Sequence, residues 1–341
     1  MKADKRGKKV LVTGAAGFIG SFLCPRLLKE GYDVTALDIS DKKAQAMRDM
    51  GMAVVIGDLT HPESIQGVCD GMDIVIHLAA HVKGWGSKRL FYDSIYHATK
   101  NLLVEAAKNR CRFIYLSSFC AAGVGGVPHH LTGHKEDDPE SKTGNSYYGD
   151  AKYDTEKLVM GYHNQNRIIA TIIRPANVIG PGSVWVTDTV DALQKKGAYP
   201  LIDNGQYNAC FVYADNLVDG ILLAMTKEIA QGRTYHFRDD YDVTWKGYAA
   251  DLGAILGKTV TFSNIPFNIA WTAGYVADRL LRPLNLQIAI GRHTVGMVGR
   301  DNRVDTCRAQ KELGWKTRIS YEAAMGAIGD WVKRMYPKPR V

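Results

Sequence analysis

A chain of 341 residues, 46% hydrophobic, with 43 Lys+Arg against 35 Asp+Glu, is long enough for one large domain or two ordinary ones, each with a buried core. Its net charge of +8 would suggest nucleic acid if it were spread evenly, but residues 1–9 hold five bases and one acid, and residues 278–341 hold 13 bases and six acids. The body between them carries 25 bases against 28 acids, so no nucleic-acid partner is expected, and the excess reads as a solvated start and a basic C-terminal region.

The six cysteines, Cys24, Cys69, Cys111, Cys120, Cys210 and Cys307, show no Cys-x-x-Cys and no ligand spacing. Neither a disulfide framework nor a metal site is expected. The basic start runs directly into a strand-like segment with no apolar leader, and no apolar run reaches the ~18–20 residues of a membrane span. A reducing, cytoplasmic location follows as an expectation.

In chain order, strands are predicted at 9–13, 33–38, 53–57, 73–78, 112–118 and 168–174, with helices at 18–30, 41–50, 62–70, 88–109 and 146–165 between them. This alternation predicts an α/β fold: a Rossmann-type doubly wound parallel sheet with a smaller mixed C-terminal substrate domain. Residues 1–180 form the first unit, with roughly 208–237 returning to it; 181–207 and 238–341 form the second. The polar, Gly- and Pro-rich segment after the fifth strand is predicted to be a long loop at the carboxyl edge of the sheet. An apolar stretch at 265–286 looks helical in its first two-thirds.

Between the first strand and the first helix stand Gly14, Gly17 and Gly20. The first permits a tight turn, the second lets backbone approach a pyrophosphate, and the third lets helix and strand pack closely. The amides of Phe18 and Ile19 then open a helix whose positive end faces the phosphates. Asp38 ends the second strand, where a carboxylate accepts the adenosine ribose hydroxyls and repels a 2′-phosphate; NAD is favoured over NADP, although Lys42 and Lys43 soften the preference. Asp58, after the third strand, is either a helix cap or an acceptor for the adenine amine.

The segments TGAAGFIG (13–20), GDL (57–59), HLAA (77–80), LSS (116–118), YGDAK (148–152) and RPANVIGPG (174–182) resemble the extended short-chain dehydrogenase/reductase family over about residues 8–240. The resemblance implies hydride chemistry or epimerisation on a bound nicotinamide, run by a Ser/Thr, a Tyr and a Lys. It also implies cofactor contacts at Leu59, Leu78, Ala79, Ala80, Pro175, Asn177 and Val178. Three Tyr-x-x-x-Lys pairs occur, Tyr96/Lys100, Tyr148/Lys152 and Tyr153/Lys157, where composition alone supplies about one. The family's pair opens the helix after the fifth strand, which selects Tyr148 and Lys152; Tyr153 lies about 140° further round that helix. Both residues are also expected to touch the cofactor. Counting back from Gly123, Ser118 takes the family's catalytic place, with Ser117 pointing to the opposite face. One departure stands out: where the family carries a proton-relay Asn four residues before Thr99, this chain has Ile95.

Two enzyme readings remain, with a non-catalytic dinucleotide sensor behind them. Asn177 fits a nucleotide-sugar 4-epimerase or dehydratase, yet Ala209 stands where those enzymes carry a phosphate-binding Arg, at a cost of ~1.5–3 kcal/mol in charge-assisted hydrogen bonds. His81-Val82-Lys83-Gly84-Trp85-Gly86 and GQYN resemble the 3β-hydroxysteroid-dehydrogenase-like branch. That branch implies an apolar, steroid-like or β-keto/β-hydroxy small-molecule substrate. The 265–286 stretch then reads as core, as a lid, or, with the basic C-terminal region, as a peripheral membrane contact. The helices at 88–109 and 146–165 are the family's pairing surface, so a homodimer is expected.

Overall fold

A computed structural model describes residues 7–82, 86–195, 197–281 and 291–337. The expectations placed on Lys83, Gly84, Trp85 and residues 282–286 lie outside these. The first half alternates as predicted: β1 (Lys9–Thr13), α1 (Phe18–Lys29), β2 (Asp33–Asp38), α2 (Ala44–Asp49), β3 (Ala53–Ile56), β4 (Ile74–His77), α3 (Lys88–Phe91), α4 (Ala98–Lys108), β5 (Arg112–Leu116), α5 (Tyr147–Asn164) and β6 (Ile169–Pro175). Two helices differ from the expectation. Residues 62–70 keep only one 3-10 turn, Pro62–Ile65, because Gly67 takes a left-handed φ of 73° and ends it. The predicted helix at 88–109 is interrupted by a π turn at Tyr92–His97 between α3 and α4.

The second half adds β7 (Asn177–Ile179), α6 (Val184–Gln194), β8 (Tyr199–Ile202), β9 (Phe211–Tyr213), α7 (Ala214–Thr226), β10 (Thr234–Phe237), α8 (Trp245–Ile255), β11 (Phe262–Ile265), α9 (Phe267–Leu280), α10 (Arg292–Val298) and α11 (Tyr321–Met335). Seven parallel strands form the main sheet in the order β10, β6, β5, β4, β1, β2, β3, so β10 joins its edge from far along the sequence. Strand order reverses between β1 and β4, and the crevice at their carboxyl ends is where ligands bind in such sheets.

Alternation along β1 explains the two covered faces. Val10 and Val12 pack with Leu23, Leu27 and Ile221 on one side, while Leu11 packs with Leu102, Phe113 and Tyr115 on the other. A separate cluster of Val186, Phe211, Trp245, Tyr248 and Ile328 supports the C-terminal elements. Among the described residues, no helix is long and apolar enough to cross a membrane, and no group of three His, Cys, Asp or Glu is placed to hold a metal.

Candidate active site

Register places the three carboxyl-edge turns side by side. Thr13 of β1 lies opposite Leu37 of β2 and His77 of β4, so Gly14 is flanked by Asp38 and by the Leu78-Ala79-Ala80 turn. Gly14 has a φ of 67°, and a Cβ there would sit 2.9 Å from the backbone of Ala79. Gly20 lies under the Ala15 carbonyl with no room for a side chain, whereas Gly17 caps α1 and is exposed. Phe18 and Ile19 open the helix as predicted. The result is a bare backbone cradle at a helix N-terminus, which fits a dinucleotide pyrophosphate. Gly14→Ala is expected to raise the Kd for NAD by about tenfold, the equivalent of forcing a side chain into a left-handed residue; fluorescence titration measures it.

Asp38 holds the rim of this cradle. Its Oδ2 accepts from the Ala16 amide and its Oδ1 from the Ser40 amide, both at 2.9 Å. Lys43 donates to the Ala16 carbonyl at 2.7 Å, so one of the two lysines flanking Asp38 is tied to the loop. Asp58 is engaged locally: Oδ1 accepts from the amide and hydroxyl of Thr60 at 2.8 Å, and His61 approaches Oδ2 at 3.2 Å. Leu59 is buried and its carbonyl accepts from Asn101. At the far wall, Pro175 ends β6, Val178 is half-buried against the sheet core, and Asn177 donates to the Ala209 carbonyl at 2.8 Å.

Ser118, Tyr148 and Lys152 meet at the same edge. Ser146 caps α5 by accepting from the Gly149 amide at 2.9 Å, and this fixes where the helix, and hence Tyr148, begins. Ala80 packs with Phe91, Ala151 and Tyr148, joining the glycine-loop side to the tyrosine. Ser118 accepts from the Cys120 amide at 3.2 Å. Burial holds the Tyr148 phenol above the ordinary tyrosine range, with Cys120 adding to this and the Ser118 hydroxyl opposing it. Lys152 is buried, donates to the Leu116 carbonyl at 2.7 Å and lies 5.9 Å from the Tyr148 ring centre. Burial lowers its pKa to about 7. The other two pairs sit elsewhere: Lys157 lies over the Tyr153 ring, and Tyr96 packs on His97 beside an exposed Lys100.

Ile95, the departure from the family pattern, is buried with Phe91 and Ala151. A polar chain beneath the site uses its backbone instead. Thr99 donates to the Ile95 carbonyl at 2.5 Å, His77 Nε2 lies 2.9 Å from the Thr99 hydroxyl, and His77 Nδ1 lies 2.6 Å from the Thr13 hydroxyl. Because Thr99 spends its proton on Ile95, it accepts from Nε2, and Nδ1 accepts from Thr13. His77 is thus neutral, and burial, with Lys152 adding to it, pushes its pKa down to about 3. His77 carried no signal as a polar link in the sequence beyond its place in HLAA.

Residues 10–237 match the NAD dependent epimerase/dehydratase family. The chain belongs to that family. It is an NAD-dependent enzyme of the extended short-chain dehydrogenase/reductase type. Over 323 residues it is 26% identical to a 4-hydroxy-2-methyl-3-oxo-4-farnesyl-3,4-dihydroquinoline-1-oxide ketoreductase of Stigmatella aurantiaca, spanning 94% of this chain and 95% of the other. It is 24% identical to the decarboxylating sterol-4-alpha-carboxylate 3-dehydrogenase of Bos taurus, spanning 94% and 91%. A UDP-glucuronic acid 4-epimerase from Bacillus cereus, solved with UDP-glucuronic acid and NAD, superposes with a TM-score of 0.75 at 22% identity, covering 96% of this chain and all of that one.

The structure also brings in residues that carried no sequence signal. His293 of α10 reaches within 4.0 Å of the Cys120 sulfur, and Gly125 lies directly against its ring. Burial pushes the Cys120 thiol up to about 12, which keeps it neutral beside Ser118.

Proposed function

We propose that the enzyme interconverts a secondary alcohol and a ketone on a bulky apolar substrate, with NAD as the hydride partner. The observation that carries this reading is the convergence of Ser118, Tyr148 and Lys152 beside the Gly14 cradle and the Asp38 rim. Tyr148 exchanges the proton with the substrate oxygen, Ser118 aligns that oxygen, and Lys152 supports the phenolate and the cofactor ribose. Bound nicotinamide supplies the hydride site and, when oxidised, a positive charge beside the phenol. That charge is what the site itself lacks, since burial holds Tyr148 high and leaves Lys152 only partly protonated near pH 7.

The apolar substrate is supported by the farnesylated and sterol substrates in the names of the two relatives, and by the nucleotide-sugar pattern's missing cation. Ala209 is fully buried in its place, and Asn177 is spent on the Ala209 carbonyl. Residues 1–180 with 208–237 serve the cofactor in this reading, and 181–207 with 238–341 the substrate. Pairing of two copies through α4 and α5 belongs to the same proposal, as does membrane contact by the exposed Ile269, Val276 and Leu280 of α9.

The test is NAD(H) turnover against sterols, β-keto and β-hydroxy acids, and UDP- or dTDP-sugars. Turnover of apolar alcohols or ketones is expected, and turnover of the sugars alone would replace this reading with the epimerase or dehydratase one.

A further inference from the structure

A second cation site borders the catalytic edge. Arg292 and His293 open α10 next to each other in sequence: His293 faces Cys120, whose amide bonds Ser118, and Arg292 faces the entry to α5. Arg292 donates from Nη1 to the Asn145 side-chain oxygen at 2.6 Å, three residues before Tyr148. With Gly144, Tyr147, Tyr275, Asp278 and Arg279 it lines a cavity of about 260 Å³.

Arg292 is held in place at its backbone and at its guanidinium. Gly274 of α9 lets the Arg292 backbone come close, since a Cβ there would lie 2.9 Å from the Arg292 nitrogen. Asp278 accepts from that same backbone nitrogen at 3.0 Å, and the Tyr275 ring lies under the guanidinium at 4.0 Å. Asn145 is itself fixed, because its amide donates to the Gly126 carbonyl at 2.8 Å and so turns its oxygen toward Arg292. This much positioning serves a charge whose side-chain partner among the described residues is a neutral amide. Nε is buried and has no acceptor among the described residues. Among the described residues, the cavity lining carries two guanidinium groups, Arg279 and Arg292, against the Asp278 carboxylate. A planar fork of donors presented in this way matches a carboxylate.

We propose that Arg292 receives a carboxylate on the substrate, so that the enzyme acts on apolar hydroxy or oxo acids in preference to neutral alcohols and ketones. The proposal rests on the oxidoreductase reading above and narrows its substrate class. The aromatic faces of Tyr147 and Tyr275 then cover the stem of the acid while the guanidinium takes its head. The carboxylate in the name of the sterol dehydrogenase relative agrees with this.

The experiment compares NAD-linked oxidation of a 3-hydroxy fatty acid and of its methyl ester, which keeps the alcohol and removes the charge. Wild-type kcat/KM for the acid is expected to exceed that for the ester by about 10- to 100-fold, the range of charge-assisted hydrogen bonds. Arg292→Gln is expected to bring the ratio near one, through a raised KM for the acid with little change in its kcat. Arg292→Lys should recover part of the preference. An ester used as well as the acid by the wild-type enzyme would overturn the proposal and leave the oxidoreductase reading standing. Equal losses on acid and ester in Arg292→Gln would mark a structural latch and overturn it too. Turnover of neither compound would instead count against the parent reading.

Discussion

Tyr148→Phe is expected to lower kcat for NAD-linked turnover by about 10²- to 10⁴-fold, the usual worth of a positioned general acid/base. In the proposed reading the phenol moves the proton; it packs on Phe91, and the buried Lys152 lies 5.9 Å from its ring centre. Phe keeps the ring contacts with Phe91 and Ala80 and deletes only the hydroxyl, so α5 and the cofactor cradle are left as they were. The Kd for NAD should therefore stay within about threefold, which separates lost chemistry from lost binding. Tyr153→Phe and Tyr96→Phe serve as controls, since both residues lie away from Ser118 and should change kcat little. Steady-state kinetics with NADH fluorescence titration give both numbers. Undiminished kcat in Tyr148→Phe would remove the assignment.

The largest effect on stability is expected at Arg174. Its side chain is 4% exposed and bonds two carboxylates, the half-buried Glu140 from the long loop and the buried Glu156 from α5. Nε donates to Glu156 at 2.9 Å and Nη2 to Glu140 at 2.8 Å, so one guanidinium ties β6, α5 and the loop together. Arg174→Met strands the buried Glu156 and the half-buried Glu140 without their cation, at a cost of about 3–5 kcal/mol. For a chain of this size that lowers Tm by roughly 4–7 °C. A triple variant that also makes Glu140 and Glu156 leucine should recover more than half of the loss, because no charge is left stranded. Differential scanning calorimetry decides it. A single variant that melts with the wild type would show that the cluster is not holding the fold.

Glu156 lies one turn beyond Lys152, and its charge raises the lysine pKa against burial. The ion cluster therefore borders Lys152. Arg174 was visible in the sequence as the start of RPANVIGPG, but nothing in its spacing showed that it would sit between Glu140 and Glu156, which lie 34 and 18 residues away.

What was legible from residues alone was local. Runs of β-branched residues in β1 and β4 report strands because side-chain direction has a period of two, and Gly14 and Gly20 report a cradle because a side chain at either would meet backbone. The choice of Tyr148 over Tyr96 and Tyr153 came from element order and the family resemblance. The helix expected at 62–70 failed where Gly67 went left-handed, a conformation that periodicity does not encode.

Tertiary structure decided everything that depends on contacts across the fold. The sequence showed that Ile95 breaks the family pattern; only packing shows its carbonyl ending a chain from Thr13 through His77 and Thr99. Asp38 was read from its place after the second strand, but its bonds to Ala16 and Ser40 required the folded loop. Arg292 lies 147 residues from Asn145 and in no motif, so no periodicity reports it. Short-range pattern follows from backbone geometry, which each residue carries with it. A guanidinium's partners, burial and hydrogen bonds are set by where distant segments come to rest, and that is known only once the chain has folded.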